Sequence, residues 1–321
     1  MRAIGPSRSS DPERLRSRPS STRPTLGGLS SPTGTLRFGV LALQDAPLPT
    51  LVERWRRVEE LGFDALYLAD HTADFRDLDG PWFDGWITLA LMARETSRLR
   101  IGTLVTNPII RPPGLLAKEA VAVDRLSGGR LELGIGTGIA AFDQDAMGVE
   151  RWSRRERLAR FAEYVEVVDG LLRERGRAYA FEGRFHRTRG MSMAPGALQT
   201  PRPPITLAGQ APAILRVAAQ RADCWNTHGP FGRGLEEILE LTRRQNAHLD
   251  ELCLARGRDP ASLRRSLLLH DALDAWVSPD AFESTVARFR AIGMGEFVVM
   301  WTPEDRLDLL ERAAQTVHRL R

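Results

Sequence analysis

The run from Ile101 to Gly138 limits what this chain can fold into more than any other stretch. Ile101-Gly-Thr-Leu-Val-Thr106 is a short, apolar, β-branched segment of the kind that a strand covered on both faces requires. Leu115 to Leu126 then places apolar residues three and four apart, a spacing that predicts a helix lying on the sheet. Ser127-Gly-Gly129 ends it, because glycine takes the left-handed conformation that closes a helix. Leu131-Glu-Leu-Gly-Ile-Gly136 is the next strand and runs into Thr137-Gly138. Strand, helix and parallel strand make a right-handed crossover, and ligands sit beyond the carboxyl ends of such strands.

The same unit recurs along the chain. Strands are expected at Leu36–Leu41, Ala65–Ala69, Ile205–Ala208, Asp223–Thr227, Ser266–Leu269 and Phe297–Trp301, in addition to the two above. Helices are expected at Leu48–Leu61, Trp86–Thr96, Arg154–Arg173, Pro212–Ala219, Leu235–Ala255, Pro279–Ile292 and Glu304–Leu320. Eight such units in 321 residues predict an α/β chain closed as a (β/α)8 TIM barrel. The long gap between the fourth and fifth strands predicts an insertion, with a hairpin around Phe181-Glu-Gly-Arg-Phe185. Residues 1–35 are rich in Ser, Pro, Arg and Gly without periodicity and read as a disordered tail; residues 36–321 form the barrel domain.

Charge narrows the functions. The net charge of +4 matches that of residues 1–35, where six arginines face Asp11 and Glu13, so the rest is balanced and nucleic acid is not expected. No segment resembles a membrane span or a secretory signal, and Cys224 and Cys253 cannot make a disulfide framework. A cytoplasmic protein is therefore expected, with Cys224 simply buried in its strand. Lys118 is the only lysine and lies mid-helix with no phosphate loop before it, which removes Schiff-base and P-loop chemistry. Gly134-Ile-Gly-Thr-Gly138 lacks the third glycine of a dinucleotide fingerprint, since position 139 is isoleucine.

His71 is the leading catalytic candidate. It follows Asp70 at the carboxyl end of the second strand, on the face where barrel active sites lie, and an imidazole there can carry protons near neutral pH. The competing reading is a rim histidine bonded to a carboxylate. His71, His228 and His270, with Asp70 and Asp271, could instead hold a divalent metal. Against that, strand one offers Leu41-Ala-Leu-Gln44 and no paired histidines. No metal is therefore expected. Gly209-Gln210-Ala211, before a helix with Pro212 in its first turn, offers backbone amides to an anion such as a cofactor phosphate. Phe75, Trp82, Phe83 and Trp86 could wall a flat ligand or belong to the core, and Arg111-Pro-Pro113 could restrain the rim. Thr106 and Asn107 could bond a ligand edge.

At these residues the chain resembles the bacterial luciferase-like flavin-dependent oxidoreductases, over roughly Leu36 to Arg321. The matching stretches are Leu61-Gly-Phe-Asp64 with Asp70-His71, Gly102 to Asn107, Asp124 to Leu131 with Gly134-Ile-Gly136, and Pro203-Pro-Ile205 through Ala222 to Asn226. The resemblance implies a barrel that binds reduced flavin at its carboxyl face. His71 falls where luciferase carries its catalytic histidine. Gly136 and Thr137 fall where luciferase has a cysteine and an arginine, while Gly209 and Gln210 match positions that contact the flavin phosphate. With Asp70, Thr106, Asn107 and Ala211, these are the expected cofactor-binding residues.

The family uses both FMN and a deazaflavin coenzyme. A deazaflavin-dependent sugar-phosphate dehydrogenase of the family has a glutamate where Ile139 stands and a tryptophan where Phe75 stands. The expected function is a monooxygenase that takes reduced FMN from a partner reductase and oxygenates a small organic substrate. The alternative is deazaflavin-dependent hydride transfer; a metal-dependent hydrolase and a non-catalytic flavin-binding barrel come behind it. A homodimer is expected from the resemblance alone.

Overall fold

The computed structural model describes residues 35–270, 278–301 and 307–321. Eight strands close a parallel barrel: β1 (Arg37–Ala42), β2 (Ala65–Leu68), β3 (Arg100–Thr103), β4 (Leu131–Ile135), β7 (Ile205–Ala208), β8 (Cys224–Thr227), β9 (Arg264–Leu269) and β10 (Glu296–Met300). Around it lie α1 (Leu48–Glu60), α2 (Gly85–Glu95), α3 (Pro113–Leu126), α5 (Arg154–Glu174), α6 (Pro212–Arg221), α7 (Leu235–Leu254), α8 (Pro279–Arg290) and α9 (Leu307–Leu320). The expected TIM barrel is the observed fold. The insertion carries a short α4 (Ala141–Ala146) and an antiparallel hairpin, β5 (Ala178–Glu182) with β6 (Arg187–Ser192), which contains the predicted Phe181 turn region. The proposed tail lies outside the described residues except for Thr35, as do Asp271 and positions 304–306 of the last expected helix.

Strand alternation sorts side chains between two layers. Phe38, Val40, Leu66, Leu68, Ile101, Leu131, Leu133, Trp225, Phe297 and Val299 face outward into one continuous apolar layer beneath the helices. Trp55, Trp86 and Trp225 are fully or almost fully buried there, each worth about 1.5–3 kcal/mol or more in area removed from water. Leu51, Trp55 and Val58 form the stripe of α1 that faces this layer, and Gly62, at φ +80°, turns the chain into β2. The Asp84 carboxylate caps α2 by accepting from Ile87 N–H, and Ser153 caps α5 by accepting from Glu156 N–H.

Inside the barrel, Leu41, Ala65, Tyr67, Leu104 and Val298 form a smaller cluster. Below it, at the amino ends of the strands, Glu132 accepts from Arg37, Arg100 and Arg264 at 2.9, 3.1 and 2.9 Å, and Tyr67 OH donates to Glu296 at 2.8 Å. This network closes the bottom of the barrel and explains why β9 begins at Arg264, two residues before the expected start. A periodicity reading passes over Arg264 and Arg265, yet one neutralises Glu132 inside and the other meets Asp250 outside at 2.7 Å. The carboxyl-end mouth is the face on which barrel active sites lie. Among the described residues, no helix is long and apolar enough to cross a membrane.

Candidate functional site

β3 was expected to run to Thr106 but leaves the ladder after Thr103 and returns through a single bridge between Thr106 and Ile135. The departure decides which way the next residues point. Thr106 is fully buried; its hydroxyl accepts from Trp86 Nε1 at 3.1 Å and pairs with Thr103 Oγ1 at 2.8 Å. Asn107 is 4% exposed, and all its polar groups are engaged: N–H to Asp70, Nδ2 to Asp143 at 2.7 Å, and Oδ1 to Ile109 N–H. Both were expected to touch a ligand edge. In the structure both are buried and bonded to neighbouring protein groups.

Asp70 is engaged in the same way. At 1% exposure it faces Arg111 at 3.1 Å and accepts from Asn107 N–H; burial outweighs these bonds and raises its carboxyl above the ordinary range. Arg111 also reaches Asp84 and Glu119, so one guanidinium ties the end of β2 to the start of α2 and the middle of α3. The expectation that Arg111 restrains the rim is met. Trp86 belongs to the core, whereas Phe75 and Trp82 stay at the mouth: Phe75 meets the His71 ring edge-on at 5.9 Å, and Trp82 Nε1 donates to the His71 carbonyl.

His71 itself is partly open, with 28% of its side chain exposed. Its Nδ1 lies 2.6 Å from Asp143 Oδ2, and Phe142 packs beside the ring at 5.4 Å. Asp143 is completely buried and accepts four bonds: Oδ1 from Thr72 N–H and Oγ1, Oδ2 from His71 and Asn107. Burial opposes its ionisation, but the bonds from His71 and Thr72 outweigh burial and hold the carboxyl below its usual range. An ionised Asp143 can only accept, which puts the proton of a neutral His71 on Nδ1 and leaves the Nε2 lone pair for a ligand. His71 is therefore carboxylate-bonded, as the competing reading held, but the carboxylate fixes its tautomer and leaves one nitrogen free.

Neither Asp143 nor Phe142 was found from the sequence. Both sit on α4, which is six residues long and too short to show a helical period. The only trace was an acidic residue in a first helical turn just past the glycine-rich end of β4.

Across the mouth, Gly136 is buried, and a Cβ there would lie 2.5 Å from Val105 Cγ2, so the wall has no room for a side chain. Thr137 beside it is half-exposed. Gly209 takes φ +141°, with its N–H on Asn226 O and its carbonyl accepting from Trp225 Nε1. Gln210 and Ala211 are half-exposed, and Ala211 begins α6 with no side-chain cap. The first turn of α6 thus has no side-chain cap at its positive end, while the Gly209 amide is already taken. His228 and His270 lie together instead of joining His71: His270 Nε2 bonds the His228 carbonyl at 2.8 Å, and Phe231 stacks on His228 at 4.6 Å. Among the described residues, no three His, Cys, Asp or Glu side chains gather as a metal site.

A family description of luciferase-like monooxygenases matches residues 28–319. The F420-dependent glucose-6-phosphate dehydrogenase of Kineococcus radiotolerans is 30% identical over 218 residues, 64% of this chain and 63% of that protein. The F420-dependent hydroxymycolic acid dehydrogenase of Mycobacterium tuberculosis is 31% identical over 227 residues, 70% of this chain and 59% of that protein. The matches thus span about three-fifths of the length of these curated relatives. Among solved structures, an F420-dependent secondary alcohol dehydrogenase superposes with a TM-score of 0.76 at 17% identity, over 90% of this chain and all of that one, a likeness of fold.

Proposed function

The chain belongs to the luciferase-like monooxygenase family, and from that membership we propose that it is an oxidoreductase using the deazaflavin coenzyme to oxidise a hydroxyl-bearing small molecule, or to run the reverse reduction. One finding supports the deazaflavin alternative over the reduced-FMN monooxygenase expected from the sequence. The curated relatives named above are both dehydrogenases dependent on F420, the deazaflavin coenzyme. The observation that carries the chemistry is the His71 ring, fixed through Nδ1 by a buried carboxylate with Nε2 left over.

The residues present fit such a coenzyme: Gly136 and Gly209 leave the wall without side chains, and the uncapped start of α6 suits a phosphate. When bound, the deazaflavin supplies the carbon that accepts or returns a hydride. Oxidising a hydroxyl to a carbonyl releases a hydride from carbon and a proton from oxygen. His71 Nε2 takes that proton, and Asp143 stabilises the imidazolium that results. Phe75 and Phe142, flanking the ring, limit water around it. Glucose 6-phosphate is not the proposed substrate, because Ile139 and Phe75 replace the glutamate and tryptophan that mark the sugar-phosphate enzyme; Ile139 is 68% exposed.

Titration of the purified protein under nitrogen tests this reading. Oxidised deazaflavin coenzyme is expected to saturate one site per chain and FMN to bind far more weakly. Tight binding of reduced FMN, with reductase-coupled oxygen consumption, would return the monooxygenase reading. Affinity for either cofactor without any turnover would favour a non-catalytic barrel.

A further inference from the structure

A groove of about 780 Å³ runs between α5 and α6 on the outside of the barrel. Its rim carries Arg154, Arg155, Arg216 and Arg256, its floor is apolar, with Leu158 and Val217, and among the described residues no carboxylate lines it. Arginines elsewhere in this chain are commonly paired, as in Arg221 with Glu166 or Arg111 with Asp70. Among the described residues, the side chains of Arg154, Arg155 and Arg216 have no hydrogen-bond or ion-pair partner, and the Arg256 side chain meets only the Leu252 carbonyl. Two of them also stand where they cost stability. Arg154 and Arg155 are the first two residues of α5, at its positive end, where cations are unfavourable. Four guanidinium groups left without acids around one groove have the composition of a seat for several negative charges.

The groove starts where the proposed phosphate seat stops. Ala213 lines it and lies in the first turn of α6, two residues past Ala211. From Ala213 to Gln220 it follows α6 for about 10 Å at 1.5 Å per residue. FMN ends at its single phosphate and would leave these arginines unused. The deazaflavin coenzyme continues beyond its phosphate into a flexible chain of carboxylates.

We propose that the α5–α6 groove seats this anionic chain, with Arg154, Arg155 and Arg216 as the principal ion-pair donors and Arg256 at the far end. The assignment rests on the deazaflavin reading of the mouth. It adds a contact that separates the two cofactors by charge and length, not by their rings.

The test compares two probes on the full chain: the complete coenzyme and its tail-less riboside 5′-phosphate, which keeps ring and phosphate. Wild-type protein is expected to bind the complete coenzyme about tenfold more tightly, the scale of a few cooperating ion pairs, and to lose that preference in high salt. The triple variant Arg154→Gln/Arg155→Gln/Arg216→Gln should bind the two probes equally, with its affinity for the tail-less probe unchanged. Because two of these charges oppose the α5 dipole, its Tm should equal or exceed that of wild type. A wild type indifferent to the tail, or a variant that keeps the preference, would overturn the groove assignment while leaving the cofactor reading intact. If neither probe binds the wild type, the cofactor reading fails and takes the groove with it.

Discussion

His71→Ala is expected to lower kcat by about 10²- to 10⁴-fold, the range that a positioned proton-transfer group contributes, and to leave Tm close to wild type. The ring is partly exposed and makes one side-chain hydrogen bond, so its removal opens little of the core. Asp143→Asn serves as the companion measurement. The carboxylate receives four donors on two oxygens, and an amide can offer only one of those oxygens. If the amide nitrogen faces His71, it donates to Nδ1, moves the ring proton to Nε2 and removes the base. If it faces Thr72, it meets two donors there. Either way kcat should fall, and as Asp143 touches no reactant it acts as a positioning residue. Steady-state kinetics on both variants, with thermal melts as the folding control, check the pair. Wild-type kcat in His71→Ala would end the assignment.

Gly134→Ala should have the largest effect on stability. A Cβ at position 134 would lie 1.9 Å from the Thr103 carbonyl oxygen and 3.0 Å from its carbon. Both atoms are backbone of the neighbouring strand, so no side-chain rotation relieves the overlap. Gly102 has the same relation to the Glu132 carbonyl, again at 1.9 Å. β3 and β4 therefore approach through two glycines, beneath the mouth that His71 and Gly136 share. Overpacking at backbone costs about 3 kcal/mol or more, a large part of the ~5–15 kcal/mol that holds a domain together. A Tm loss of about 10 °C is expected, or failure to fold. Gly148→Ala is the control: it meets nothing within 4 Å and carries only the strain of φ +63°, about 1–2 kcal/mol. Melting curves in which Gly134→Ala matches Gly148→Ala would contradict the close-approach account.

The sequence revealed the barrel because each strand is a short apolar run and each helix keeps its stripe, as Leu51, Trp55 and Val58 do. His71 was legible for the same reason: its place at a strand end could be counted. Asp70, Thr106 and Asn107 were assigned to the ligand by that counting as well, whereas the structure shows all three buried and bonded to protein groups. Their direction depends on the chain leaving the ladder after Thr103, which no local pattern announces. Asp143 became visible only once folding brought α4 against the end of β2, more than seventy positions back along the chain. Arg264 was missed at the start of β9 because its charge is cancelled by Glu132, from a strand distant in sequence. Gly136 and Gly209 were singled out through the resemblance to the family, and in the structure a Cβ at either would crowd a neighbouring side chain. The choice between the two cofactors left little mark in these residues, because both present a flat ring and a phosphate to the same walls.

The central claim is that the barrel mouth holds the deazaflavin ring beside His71. A crystal structure of this protein with the coenzyme bound tests it most directly. The account predicts the ring in the mouth within van der Waals contact of the His71 imidazole, about 4 Å, with the phosphate on the Gly209–Ala211 turn. A ring bound anywhere else on the barrel, or a phosphate held away from the start of α6, would contradict it.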